Sequence, residues 1–179
     1  MATQSLVEFQ KALMARLQNL GNASDTADLL AVEVAGGYRY LIPLEDAGGV
    51  ALLSSIGDIE PVAHTKFWFV GMVNYRGTPF ALVDLAGWLG IRIGEPDIAY
   101  MIRKNASVVM FNPSLEINCA LLVDNILGLR NSTEFQSVSS SDANSAEEYL
   151  LDQNKNTWQI MKLADLACDE YFLHIEENA

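Results

Sequence analysis

Past residue 28 the chain alternates short apolar runs with turns marked by Gly, Pro or Asn, the pattern of short strands and not of long helices. Leu29 to Val34, Gly36-Gly37 and Tyr38 to Leu44 read as a hairpin, because the two glycines supply the positive φ angles such turns require. Ala47 to Ile56 is a weaker strand interrupted by Gly48-Gly49, read as a bulge or bend. Phe67 to Tyr75 and Pro79 to Leu85 make a second hairpin around Arg76-Gly77, and Ala86 to Leu89 is a helical turn at most. The series of short apolar stretches continues through Ala99 to Arg103, Ser107 to Phe111, Ile117 to Val123 and Ile126 to Leu129, with a turn at Asn112-Pro113-Ser114. A last hairpin runs from Tyr149–Leu151 through Asn154-Lys155-Asn156 to Trp158–Met161.

The ends follow a different period. Leu6, Phe9, Leu13, Leu17 and Leu20 are spaced by 3, 4, 4 and 3, which predicts one amphipathic helix with a Ser5-to-Glu8 capping box and a stop at Gly21. That helix either docks on the protein's own core or serves as a handle for a partner. Residues 22–28 are small and polar and read as a linker, and Leu163, Leu166 and Ala167 give 162–172 helical spacing. Residues 131–146, rich in Ser, Asn and Asp, read as a surface loop. The expected architecture is all-β and mainly antiparallel, with a helix at each end and strands short enough for closed barrels. It divides into an N-terminal helix and linker (1–28), a β domain (29–168) and a C-terminal tail (169–179).

Phe80-Ala-Leu-Val-Asp84 and Cys119-Ala-Leu-Leu-Val-Asp124 echo one another, each an apolar strand closing in Val-Asp. An Asp in that position can accept hydrogen bonds from the following turn, so Asp84 and Asp124 are expected to be structural turn residues. A true pseudo-repeat would imply two similar half-barrels.

Composition narrows the partners. At 179 residues, 50% apolar and 19% charged, the chain is long enough for one folded unit, bilobed at most. Its net charge of −12 makes nucleic acid and an anionic membrane surface poor partners, since binding either relies on Lys and Arg. No apolar run reaches the ~18 residues of a spanning helix, and the amphipathic N-terminus does not read as a secretory segment, so a cytoplasmic location without direct membrane insertion is expected. Cys119 and Cys168, too far apart for a disulfide framework and both in apolar surroundings, read as buried, inert thiols.

Candidate chemistry is sparse. The only histidines, His64 and His174, sit in no nucleophile motif, and two Cys with two His at scattered spacing form no metal site. Gly36-Gly37 and Gly48-Gly49 lack the spacing and following helix of a phosphate loop. No catalytic residue, metal or cofactor is expected, although 23 carboxylates leave room for an undetected acid/base pair. Arg76, between Tyr75 and Gly77, stands out as a cation at a hairpin tip in an acidic protein. Its planar fork suits bidentate binding of a partner's carboxylate, or else an intramolecular salt bridge that braces the turn.

The ordered motifs resemble the CheW-like adaptor domains of bacterial chemosensory systems. That family carries Gly-x-x-Asn-Leu-Arg-Gly and then an apolar strand ending in Val-Asp-Leu, and here the chain reads Gly71-Met-Val-Asn74-Tyr75-Arg76-Gly77 followed by Val83-Asp84-Leu85. Leu121-Leu-Val-Asp124 with Ile126 and Leu129 matches the second element, Trp158 to Leu163 the closing strand, and Tyr40 to Leu44 the second strand, so the likeness covers about residues 29–168. Phe67-Trp68-Phe69 and the added N-terminal helix are similar to the PilI type, which serves twitching motility through type IV pili.

The resemblance implies two five-stranded β-barrels side by side and an adaptor without catalytic activity. Such an adaptor links the cytoplasmic tip of a methyl-accepting chemoreceptor to the regulatory domain of a CheA-type histidine kinase. It puts Asn74, Arg76 and Gly77 at the demanding turn of the first barrel, with Tyr75 among the partner-binding residues. Gly71, Ile126 and Leu129 fall near an apolar groove between barrels that takes a receptor helix. Two departures are visible: Tyr75 replaces the usual Leu, and Gly48-Gly49-Val50 stands where many relatives carry an acidic residue that pairs with the turn arginine. Arg76 is then either free for an external carboxylate or paired with Glu45 or Asp46. The rival reading, a β-barrel enzyme or small-ligand protein using its carboxylates, requires a deep pocket with convergent polar groups.

Overall fold

A computed structural model of the chain describes residues 7–11, 13, 27–138 and 149–177. Two six-stranded sheets make up the fold. Sheet A runs in the order β10(Gln136–Val138), β11(Tyr149–Leu151), β12(Thr157–Ile160), β2(Tyr38–Pro43), β1(Leu29–Val34), β9(Asn125–Arg130). Sheet B runs β3(Ala47–Leu52), β7(Ser107–Phe111), β8(Cys119–Val123), β6(Thr78–Asp84), β5(Phe69–Tyr75), β4(Ile59–Glu60). Pairing is antiparallel except for β12 with β2 and β6 with β8. The expected closed five-stranded barrels are not what forms, because among the described residues the end strands of each sheet are not paired to each other.

Central strands bury both faces, which is why they read as unbroken apolar runs. In β1 and β2, Leu30, Val32, Val34, Tyr40 and Ile42 face a core shared with sheet B, while Leu29, Ala31 and Leu41 face a separate cluster with Phe135, Leu150 and Trp158. In sheet B, Val83, Val109, Phe111, Cys119, Leu121 and Val123 point into the shared core. Their neighbours Leu82, Val108, Met110, Ala120 and Leu122 point to the opposite side, against Ala51, Leu53, Ile56 and Met101. The period of two therefore sorts side chains among three layers.

Both early hairpins and the last one form as the pattern predicts, and a register shift at Gly48 is the predicted bulge. Several stretches differ. Ala99 to Arg103, one of the short apolar stretches, is a helix, α2(Ile98–Arg103), started by the Asp97 carboxylate accepting from the Tyr100 N–H. It follows α1(Leu85–Trp88), the expected helical turn. Residues 131–138 are not a bare loop: Ser132–Glu134 is a 3-10 turn closed by an Asn131–Glu134 capping box, Phe135 is buried, and β10 follows. The rest of that stretch, 139–146, lies outside the described residues, as does most of the N-terminal helix, of which 7–11 and 13 are helical.

The C-terminal segment packs into the body. Helix α3(Leu163–Cys168) ends at Asp169, whose carboxylate caps α4(Glu170–Leu173) by accepting from the Tyr171 and Phe172 N–H groups. Phe172 sits among Trp68, Trp88 and Phe111, with ring centres 6.2, 5.2 and 6.0 Å away, and Thr65 bridges to Glu176 beyond it. Trp158 is held by a hydrogen bond from Nε1 to Asp152 Oδ2 (3.0 Å) and by the guanidinium groups of Arg39 and Arg130 against its ring.

The Val-Asp echo resolves differently from a half-barrel repeat. Strands β6 and β8 are parallel neighbours in one sheet, with Val83 opposite Leu121, so the two aspartates emerge at the same sheet end. Arg92 joins them: Nη1 lies 3.1 Å from both Asp84 carboxylate oxygens and Nη2 lies 3.7 Å from Asp124 Oδ1. Asp124 also accepts from the Gly36 N–H of the β1–β2 turn at 3.2 Å, which ties this cluster to sheet A. Asp84 is fully buried, and that burial holds its carboxyl above the ordinary value, opposed by the Arg92 charge and the Gly87 amide. Ionising Asp84 thus costs folding free energy as pH rises from 3.8 towards the raised value, and Arg92 limits the cost.

An Arg92→Met variant leaves the buried Asp84 carboxylate unpaired and is expected to lose about 3 kcal/mol at neutral pH, read from urea unfolding. That loss shrinks on acidification, and Asp84→Asn combined with Arg92→Met recovers most of it. Asp152 behaves oppositely: hydrogen bonds from Asn156, and then from Trp158, outweigh desolvation and lower its carboxyl to about 2. Its contribution is complete above 3.8 and lost as pH falls through about 2, so the buried Trp158 reports an acid transition that Asp152→Asn removes from tryptophan fluorescence.

Candidate functional site

The β5–β6 hairpin is a two-residue turn. Tyr75 pairs with Thr78 and Asn74 with Pro79, leaving Arg76 and Gly77 at the tip with φ of 52° and 81°. Two consecutive positive φ values fit a type I′ turn, whose twist matches the strands it joins. Asn74 Oδ1 accepts the Gly77 N–H at 3.0 Å and locks the turn from below. Arginine, unlike the glycine beside it, pays steric strain in the left-handed region.

The Arg76 side chain folds over the Tyr75 ring, with Cζ 5.0 Å from its centre. Among the described residues no carboxylate is ion-paired with Arg76. Neither candidate partner serves: the Asp46 carboxylate accepts from the Ala164 N–H at 3.3 Å, and Glu45 offers its backbone carbonyl to Asn112 at 3.0 Å. The turn is braced by Asn74, not by a salt bridge, and a cation is left exposed on a protein of net charge −12.

A recess of about 450 Å³ opens beside this tip, bounded by the 55–57 turn, residues 74–76 and, from the N-terminal helix, Val7 and Gln10. Gln10 Nε2 donates to the Val50 carbonyl of β3 at 3.0 Å. Its walls bring together no nucleophile, metal ligand set or acid/base pair, and the described residues hold no group of three potential metal ligands.

The other singled-out residues lie elsewhere. Gly71 is in β5 of sheet B, at a register shift, with φ of 147°; a Cβ there would come within 2.5 Å of the Glu60 carbonyl, so glycine is what lets β4 pair. Ile126 and Leu129 lie in β9 of sheet A, half-buried against the shared core. Between them Leu127 and Gly128 form a bulge against β1, which leaves Leu127 41% exposed. The space between the sheets is filled by the protein's own side chains, so Ile126 and Leu129 occupy the rim of a closed core.

Arg92 had no signal in the sequence beyond being a loop cation between two isoleucines, because its partners are brought to it only by sheet B. The thiols separate: Cys119 is buried and its thiol is pushed up to about 12 by desolvation, while Cys168 is exposed, contrary to its apolar neighbours in sequence. Its helical position turns it outward. His64 and His174 are both exposed. No helix of the described residues is long and apolar enough to cross a membrane.

Comparison with known proteins points one way. The CheW-like domain matches residues 28–166. A chemotaxis protein CheW of Thermotoga maritima is 29% identical over 91 residues, 51% of this chain and 55% of that protein, so the matched stretch spans about half of that relative's length. The crystal structure of the scaffolding protein TtCheW from Thermoanaerobacter tengcongensis superposes with a TM-score of 0.56 at 15% identity, over 85% of this chain and 95% of that one, a likeness of fold. With most of its length matched by the family, and with the Asn74-to-Gly77 turn and both Val-Asp strand ends in place, this chain belongs to the CheW-like domain family.

Proposed function

We propose that the protein is a non-catalytic adaptor of a bacterial chemosensory system. In this reading it works in the cytoplasm, coupling the tip of a methyl-accepting chemoreceptor to the regulatory domain of a CheA-type histidine kinase, with control of twitching motility through type IV pili as its output. The match to the CheW-like domain over residues 28–166 carries the reading. The pilus assignment draws on Phe67-Trp68-Phe69 and on the added N-terminal helix.

The geometry supports a recognition role for the β5–β6 tip. Strain at a non-glycine left-handed residue persists where the surroundings enforce it and is a pointer to function. Here Asn74 enforces it, and the guanidinium it presents is stacked flat on Tyr75 with its donors turned to solvent, ready for a bidentate carboxylate. Ile126, Leu127 and Leu129 on β9 provide an apolar second surface, suited to part of a receptor helix. The rival enzyme reading finds no support in the recess beside Arg76, whose walls carry no converging catalytic groups.

Binding of the purified protein to its host's kinase regulatory domain and to a soluble receptor-tip fragment, by calorimetry, tests the reading. Binding to at least one is expected, and a folded sample that binds neither refutes it. Arg76→Glu is expected to weaken the Arg76-dependent complex by about tenfold or more, mainly through lost charge complementarity, while far-UV circular dichroism stays unchanged because Arg76 braces nothing.

A further inference from the structure

The recess beside Arg76 is roofed by the chain's own N-terminal helix. Gln10 reaches the outer strand of sheet B, where Gly49 offers no side chain and its missing Cβ would stand 3.5 Å from Gln10 Nε2. Val7 stands over the recess from the same helix. This contact is thin. Val7, Glu8, Phe9 and Lys11 are exposed, Gln10 and Leu13 are only partly covered, and no described residue of the helix is buried. The helix also docks by an unexpected side: Phe9, a member of its apolar stripe, is 50% exposed, while Val7 and Gln10, outside that stripe, face the body.

A helix held by a single side-chain hydrogen bond to the edge of β3 and a half-exposed valine is held weakly. It offers the recess no charge, since its lining residues there are a valine and an amide, and it leaves Arg76 unpaired. A ligand that brings a carboxylate to Arg76 gains an interaction the roof cannot match. We propose that the N-terminal helix is an autoinhibitory cover: it occupies the approach to Arg76 in cis, and a partner that engages Arg76 through a carboxylate must displace it. The inference rests on the adaptor reading only for the identity of that partner. Apparent affinity is reduced by the fraction of molecules whose cover is closed, so anything that shifts the cover shifts the affinity.

Charge at position 7 tests this with opposite signs. Val7→Lys sets like charges together across the recess and opens the cover; Val7→Glu pairs with Arg76 and closes it. In the full-length protein, the Arg76-dependent partner is expected to bind about threefold tighter to Val7→Lys and about threefold weaker to Val7→Glu than to wild type. Changes in the same direction, or none, overturn the proposal, as does partner binding that Arg76→Glu leaves untouched.

Cover position is read separately by paired spin labels at Lys11→Cys and Leu52→Cys in a Cys168→Ser background. A short distance in the free protein, lost in Val7→Lys and on saturation with partner, supports the cover. Absence of the short distance in the free protein, or its persistence in the saturated complex, refutes it. Failure of both partners to bind counts against the adaptor reading alone, because the spin-label distances in free Val7→Lys and Val7→Glu still decide whether the cover exists.

Discussion

Strands β1, β2, β6, β7 and β8 send alternate side chains to opposite faces, and each face meets apolar partners. This two-sided burial is the constraint on which the molecule depends. It forces the two sheets to share a layer in which Val32, Ile42, Val109 and Leu121 pack, with the aromatic group around Phe172 contributing to the same core. The shared layer stabilises by removing apolar area from water, so it is strong but has little directional preference. Direction comes from polar groups at its margin. Arg92 gathers Asp84 and Asp124 at one sheet end, and Asp124 reaches the turn of the other sheet.

That division of labour leaves the functional surface at the periphery. Because the layer between the sheets is filled, the groups available for recognition are at its rim and on hairpin tips: Leu127 on the β9 bulge, and Arg76 above Tyr75. The β5–β6 hairpin is well placed for this use. Its base is fixed by pairing with β8 and β4, whereas its tip carries no tertiary contact beyond the ring beneath it and the helix alongside. A rigid base with an exposed cation suits reversible recognition by charge, where complementarity contributes more to partner choice and association rate than to raw affinity.

Much of this was legible in the sequence where the signal was local. Strand runs, the type of each hairpin turn, the bulge at Gly48 and the demanding turn at Asn74 to Gly77 all follow from residue preferences within a few positions. The fate of Ala99 to Arg103 was not legible from apolar content alone; the Asp97 cap decides for helix, a signal three residues upstream of the amide it satisfies. Phe135 was hidden in a polar stretch because one aromatic among serines gives no period to read.

Sequence by itself determined the secondary structure of the central strands, the sign of the charge field, and the identity of the turn that presents Arg76, since each depends on side-chain type and near neighbours. Tertiary structure alone decided that the two Val-Asp strand ends lie side by side and are joined by Arg92, that the sheets stay open and not closed as barrels, and that Arg76 finds no carboxylate within the protein. The physical reason is the same in each case: these outcomes depend on which strands become neighbours, and the residues that meet there are separated by tens of positions along a chain whose local preferences carry no record of the meeting.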